Sequence, residues 1–563
     1  MSGSVSRSSR PGSKAGRPPV IAIGLDSGDI DLCTRWMADG RMPNLARLRD
    51  RGRTLLLQNA PTNMAETSWT NFAAGAPPED TGYWSQLRLQ AGSYRMAEVG
   101  SYPFEEYPPF YALGPDFRVA TIDIPQTRLR GDINGVQLLA YGAHSAYAKP
   151  SSVPSELLAQ VTERYGPHPT FDRDKARMWR KGSMAKLAEG LKQGSARRAA
   201  ICADMLREQP WDLFLVVFSE THSGGHYLMH LGSPEHPLHA TFGSLFGGAD
   251  PLAEVATAVD DGIGRIVAAA PDDATFVVFS PEGMVPNNTD VGSMLFLPEL
   301  LYRWNFPGKM AIRGAPHGDN RPPEPPITHP YSFGWARKVW TLKHDPNPLR
   351  RTLRRLLPVE FGRIMERVLG TPEGVGFIND YDPWFQPGMW YSDHWPKMKA
   401  FALPSYSDGY VRINLKGREP NGIVEPRDYD RVCDELAGEI MALRDSRTGE
   451  AVVLDVVRTG ADSRAPKASD ADLVVKWTPK PADCVTTGSF GRIGPVPLSR
   501  SGGHNSIGFA IAAGPAIDAR GIADHGRLID LAPTMLDLLG APIPARLPGR
   551  SLVGTPQSLQ AAE

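Results

Sequence analysis

Six short apolar runs constrain this chain more than any other feature: VIAIGL (20–25), FRVATIDI (117–124), DLFLVVF (212–218), ATFVVFS (274–280), ADLVVKW (471–477) and IGFAIAAG (507–514). VIAIGL is continuous and ends at Asp26, which is how a strand buried on both faces delivers an acidic residue to the carboxyl edge of a sheet. Helix-like stretches fall between several runs, notably IDLCTRWMADG, GSMAKLAEGLKQGSARRAAICADMLREQ (182–209) and RDYDRVCDELAGEIMALRD (427–445). This alternation predicts an α/β fold built on a mainly parallel sheet. Ligands in such folds gather at the carboxyl ends of the strands.

One strand end stands out. Directly after DLFLVVF the chain reads ETHSGGH (220–226), placing His222 and His226 four apart. A helical His-x-x-x-His zinc motif needs the intervening residues to be helical, and Gly224-Gly225 disfavours that. The expectation is a loop that leaves a buried strand and carries both histidines.

Composition narrows the partners. Of 563 residues, 61 are Lys or Arg and 62 are Asp or Glu, so no global field draws the chain to nucleic acid or to a membrane surface. A small-molecule substrate is expected. No run of about 18 apolar residues suggests a spanning helix. Residues 1–17, MSGSVSRSSRPGSKAGR, lack the apolar stretch of a secretory signal and read as a disordered tail. Cys33, Cys202, Cys433 and Cys484 are scattered without CxxC spacing, against a disulfide framework or a cysteine zinc site. A cytoplasmic protein is the expectation.

Residues 301–399 break the α/β rhythm with Pro, Trp, Arg and His. They read as an insertion that caps the strand ends, dividing the core into 18–300 and 400–555, with a short tail at 556–563. Within the insertion, PLRRTLRRLLPVEFGRIMERVLG has an amphipathic basic pattern, suited to a solvated helix face or to an acidic partner.

Four stretches end in groups suited to a metal: GLDSGD at Asp26, ETHSGGH at His222 and His226, FSPEGM at Glu282, and SGGHNSIG at His504. Their order and spacing resemble the alkaline phosphatase superfamily, and within it the type I phosphodiesterase/nucleotide pyrophosphatase-like proteins. GRMPNLARLRDRGR (40–53), WTNFAAGAPPEDTGYW (69–84), AFALPSYSDGYVRINLKGREPNGIV (400–424) and LIDLAPTMLDLLGAPIPARLPGRSL (528–552) resemble further family segments. The resemblance implies an alkaline-phosphatase-like core, two metal ions (usually zinc) clamping substrate oxygens, and a Thr or Ser nucleophile.

Carried over position by position, the resemblance makes Asp26 a ligand of one ion, and His226 and His504 ligands of the other. Four positions depart from it. His222 stands where the family has aspartate, Pro281 and Glu282 stand where it has an Asp-His pair, and the nucleophile position falls on Ala65. His222, His226 and His504 would then form a three-histidine zinc site with an open position, where bound water becomes available as hydroxide near neutral pH. One ion is expected rather than two. Asp26 and Glu282 are candidate ligands or, with Glu282 as base, groups that orient the site. Glu66 is a further acidic candidate. Thr67 or Ser68 is a candidate replacement nucleophile, with helix capping as the alternative. Asp123 and His144 are candidate substrate contacts. His230, His236 and His239 read as surface groups or as supports of the site, and Arg418 as a structural ion pair. These features imply a metal-dependent hydrolase of a phosphoester or phosphodiester. The altered ligands leave open a mononuclear zinc enzyme with transfer, hydrolysis or lyase chemistry on a non-phosphate small molecule, or an inactive binding protein.

Overall fold

The computed structural model describes residues 18–59, 67–142, 148–171, 175–327, 386–459, 467–498 and 500–554, with isolated positions 349, 352 and 465. Its centre is a nine-stranded sheet. In spatial order the strands are His525–Arg527, Arg53–Gln58, Ile507–Ala513, Thr275–Ser280, Val20–Leu25, Leu213–Phe218, Gly114–Ile122, Ile133–Leu139 and Ser151–Val153. Five of its eight pairings are parallel, so the fold is the expected mainly parallel α/β arrangement.

The continuous apolar runs follow from burial on both faces. In Val20–Leu25 every side chain is buried. Ile21, Ile23 and Leu25 enter one hydrophobic cluster, while Val20 and Ala22 enter the other, as the two-residue period of a strand requires. Helices Lys181–Glu208 and Pro251–Ala269 pack on the first of these faces. Burying one such side chain contributes about 1.5–3 kcal/mol.

The ADLVVKW run departs from the expectation of one sheet. Its strand, Leu473–Trp477, lies in a separate four-stranded antiparallel sheet with Val453–Arg458, Gly409–Ile413 and Ala400–Leu403. The expected boundary at residue 301 falls inside the helix Leu297–Asn305, where Glu299 accepts hydrogen bonds from Arg303 Nε and Tyr391 Oη, each at 2.7 Å. The basic segment that begins at 348 lies outside the described residues, apart from positions 349 and 352. Among the described residues no helix is long and apolar enough to cross a membrane.

Candidate metal centre

Three central strands, Thr275–Ser280, Val20–Leu25 and Leu213–Phe218, run parallel and in register, so Asp26, Glu220 and Glu282 emerge at the same edge. Hydroxyls tie these ends together. Ser280 Oγ accepts from Gly28 N at 2.8 Å and lies 2.6 Å from Leu25 O and 2.7 Å from Glu282 O. Thr221 Oγ1 donates to Asp26 O at 2.7 Å.

ETHSGGH is helical, which corrects the loop expected from its glycines. A single residue, Ser219, separates the strand Leu213–Phe218 from the helix Glu220–Gly232. Tertiary packing overrides the glycine penalty of about 1 kcal/mol each. A Cβ on Gly225 would lie 2.6 Å from Met284 Cγ, and one on Gly502 would lie 2.4 Å from Gly225 O. The helix therefore presses its backbone against the two-stranded ribbon formed by Gly283–Pro286 and Gly502–Asn505, in which Met284 faces His504. That contact brings His504 to the helix.

His222 and His226, one helical turn apart, meet with their Nε2 atoms at 3.0 Å. Ligand atoms of His222, His226 and His504 lie within 4.8 Å of one another, and all three residues are buried. His226 Nδ1 donates to Gly502 O at 2.7 Å, which leaves Nε2 with the lone pair. His504 Nδ1 lies 3.1 Å from Glu282 Oε1 and 3.2 Å from Ser27 Oγ. His222 Nδ1 lies 3.9 Å from Asp26 Oδ2. A histidine that ligates a metal through one nitrogen characteristically has its other nitrogen fixed by a carbonyl or carboxylate. Tetrahedral zinc with bonds of about 2.0–2.1 Å places its nitrogens about 3.3 Å apart, close to the spacing of the helical pair. The donor set fits zinc.

Arg500 enters the same centre without any signal in the expected ligand pattern. Its Nη1 donates to His226 Nε2 at 2.8 Å, while Nε and Nη2 each lie 2.7 Å from an oxygen of Asp290. Burial, then the Arg500 cation, then the two neighbouring histidines push the His226 imidazole well below its ordinary range, so the ring is neutral. Arg500 and a metal would compete for one lone pair.

Asp26 and Glu282 face other partners. Asp26 Oδ1 accepts from Trp69 Nε1 at 2.7 Å. The indole gets there by lying over Gly24, where a Cβ would be 2.7 Å from Trp69 Cη2. Glu282 Oε1 accepts from Ser27 Oγ at 3.0 Å, and Oε2 accepts from Ser68 Oγ at 2.5 Å. Neither carboxylate is grouped with the three imidazoles. The helix N-cap among these residues is Asp29, whose side chain accepts from Asp31 N and Leu32 N.

Thr67 precedes the helix Ser68–Ala74 but makes no side-chain cap; its Oγ1 lies 3.3 Å from Asn71 Oδ1. Asp123 is fully buried, accepting from Tyr141 N at 2.8 Å and Gly142 N at 3.0 Å and pairing with Arg198. Arg198 Nη2 also reaches Glu220 Oε1 at 3.2 Å, and His168 Nε2 lies 2.9 Å from that oxygen. Burial raises the Glu220 carboxyl, but Arg198 and His168 outweigh it and hold the group below its ordinary value. This network braces the start of the histidine helix. Glu66, Ala65 and His144 lie outside the described residues.

His230 and His236 are buried rather than at the surface. His230 Nε2 lies 3.2 Å from Met178 O, and His236 Nε2 lies 2.9 Å from Ser501 O, beside Arg500. Arg418 is the expected ion pair, reaching Asp472 and Glu419.

Among curated proteins none matches this chain. Solved structures that do match include phosphonoacetate hydrolase from Sinorhizobium meliloti 1021 in complex with phosphonoformate, at 14% identity over 93% of this chain and 96% of that one, with a TM-score of 0.47. Alkaline phosphatase PafA is similar at 11% identity over 96% and 99%, with a TM-score of 0.47. An inactive variant of murine ectonucleotide pyrophosphatase/phosphodiesterase 5 in complex with AMP is similar at 12% over 96% and 100%, with a TM-score of 0.43. The model of the type I phosphodiesterase/nucleotide pyrophosphatase family matches residues 20–321, more than half of the sequence, and the chain belongs to that family.

Proposed function

We propose that this chain is a metal-dependent hydrolase of a small phosphoester or phosphodiester, with one zinc ion held by His222, His226 and His504. The observation that carries the reading is the convergence of three buried imidazoles within 4.8 Å, at strand ends where α/β folds bind ligands. Family membership supports the phosphoester class. Zinc bound to three histidines supplies Lewis acidity to an oxygen of substrate or water.

The remaining roles fall to the chain's own groups. Gly502 O and Glu282 orient the rings of His226 and His504. Asp26, anchored by Trp69, stands beside His222. The engagement of Asp26 and Glu282 with Trp69, Ser27, Ser68 and His504 supports one ion rather than two. Glu282 is the acid–base group of the site. Arg500, once off His226, offers a guanidinium to an anionic phosphoryl oxygen. Asp123 acts through Arg198 and Glu220 as a positioning residue rather than by touching substrate. Four unbridged cysteines suit a reducing, cytoplasmic setting.

The test is hydrolysis of para-nitrophenyl phosphate and bis(para-nitrophenyl) phosphate by purified protein, before and after chelation and after zinc is restored. We expect turnover of at least one ester that chelation abolishes and zinc restores. Turnover indifferent to chelation would refute the metal dependence. A zinc-loaded protein inert to both esters would shift the reading to non-phosphate chemistry.

A further inference from the structure

The hydroxyl expected from family resemblance is absent at Ala65, but another hydroxyl is joined to a carboxylate at the centre. We infer that Ser68 is the nucleophile of this site and that Glu282 takes its proton; the inference rests on the phosphoester reading above. Ser68 is fully buried. Its Oγ donates to Glu282 Oε2 at 2.5 Å, the short end of the range for a hydroxyl on an ionised carboxylate. The other oxygen of Glu282 is held by Ser27 Oγ at 3.0 Å and His504 Nδ1 at 3.1 Å. A nucleophile bonded to a base that is itself oriented by a third group is the general signature of covalent catalysis. His504 also belongs to the histidine trio, so the Glu282 carboxylate and the His504 ring link Ser68 to the proposed metal.

The rival hydroxyls are placed differently. Ser27 Oγ lies between Glu282 Oε1 and His504 Nδ1, so its proton and a lone pair both have partners. Thr67 Oγ1 and Thr70 Oγ1 lie near the amide oxygens of Asn71 and Gln126, which are poor proton acceptors beside a carboxylate. Ser68 Oγ gives its one proton to Glu282 and has no other hydrogen bond among the described residues.

The chemistry balances without a further reactant. Ser68 Oγ attacks phosphorus; the Oγ–P bond forms as the bond from phosphorus to the leaving oxygen breaks. The Oγ proton passes to Glu282 Oε2 and leaves on the departing alcohol. Water then attacks phosphorus, the Oγ–P bond breaks, and Glu282 relays the water proton to Ser68 Oγ. The net reaction is hydrolysis of one phosphate ester bond.

The experiment uses the zinc-loaded full chain and diethyl para-nitrophenyl phosphate, a triester whose phosphoryl adduct is slow to hydrolyse. We expect release of about one equivalent of para-nitrophenolate per chain, a diethylphosphoryl increment in the intact mass, and its location on Ser68 by peptide mapping. Ser68→Ala should lose the adduct and Thr70→Ala, whose hydroxyl faces Gln126, should keep it. An adduct on Ser27, Thr67 or another residue, or no adduct, overturns the proposal whether or not the wild-type protein hydrolyses the aryl phosphates. An adduct on Ser68 in a protein that hydrolyses neither aryl ester upholds the nucleophile while the substrate reading fails. The wild-type labelling does not depend on any variant folding.

Discussion

The two halves of the centre are built by opposite means. The histidine half comes from one helix and one ribbon, and its geometry is set by backbone pressed on backbone at Gly225 and Gly502. The hydroxyl–carboxylate half comes from ends of separate elements at Asp26, Ser27, Ser68 and Glu282, held by side-chain hydrogen bonds. The first half collects nitrogen donors; the second holds its carboxylates in place with hydrogen-bond donors from Trp69, Ser27 and Ser68. His504 is the hinge of the comparison, belonging to the trio and bonding Glu282. On the proposed reading the nitrogen groups hold the ion, and the oxygen groups handle protons and covalent chemistry.

The sharpest way to break this division is His226→Ala. It should lower kcat/KM by about 10³-fold or more, roughly 4 kcal/mol of transition-state stabilisation, and abolish stoichiometric zinc. Retained zinc would place the ion elsewhere. Next comes Glu282→Gln, which preserves shape but not the proton acceptor. We expect a loss of about 10²-fold in kcat with zinc content unchanged. Loss of zinc in that variant would move Glu282 into the ligand set and erase the distinction between the halves.

Gly225→Ala tests the backbone contact that builds the histidine half. Its Cβ would meet Met284 Cγ at 2.6 Å, and a destabilisation of about 1–3 kcal/mol is expected from overpacking. The midpoint of urea unfolding reads it, and an unchanged midpoint would mean that the contact is slack. The smallest effect is expected for Arg500→Met. With no guanidinium competing for the His226 lone pair, zinc should bind about tenfold more tightly in a chelator competition. Unchanged or weaker binding would mean that Arg500 supports the site rather than competes for it.

These features were unequally legible in sequence. The strand runs and the three histidines were readable because burial on both sheet faces and the placing of ligands at strand ends leave local patterns. The helicity of ETHSGGH was not, since local propensity penalises Gly224-Gly225 and the contact that reverses the penalty is with Met284 and Gly502, far along the chain. The separate sheet containing Leu473–Trp477 was hidden for a similar reason: an apolar run does not reveal its pairing partners. Arg500 was missed because an arginine two residues before Gly502 looks like any surface cation until the fold sets it against His226 and Asp290. Asp123 was read as a substrate contact from its place at a strand end, and that place also serves a buried ion pair with Arg198.

The most direct test of the central claim is the metal content of the purified protein, measured by elemental analysis alongside His504→Ala. About one zinc per chain is expected in the wild type and almost none in the variant. Two ions per chain, or one that survives the loss of His504, would contradict a single ion held by three histidines.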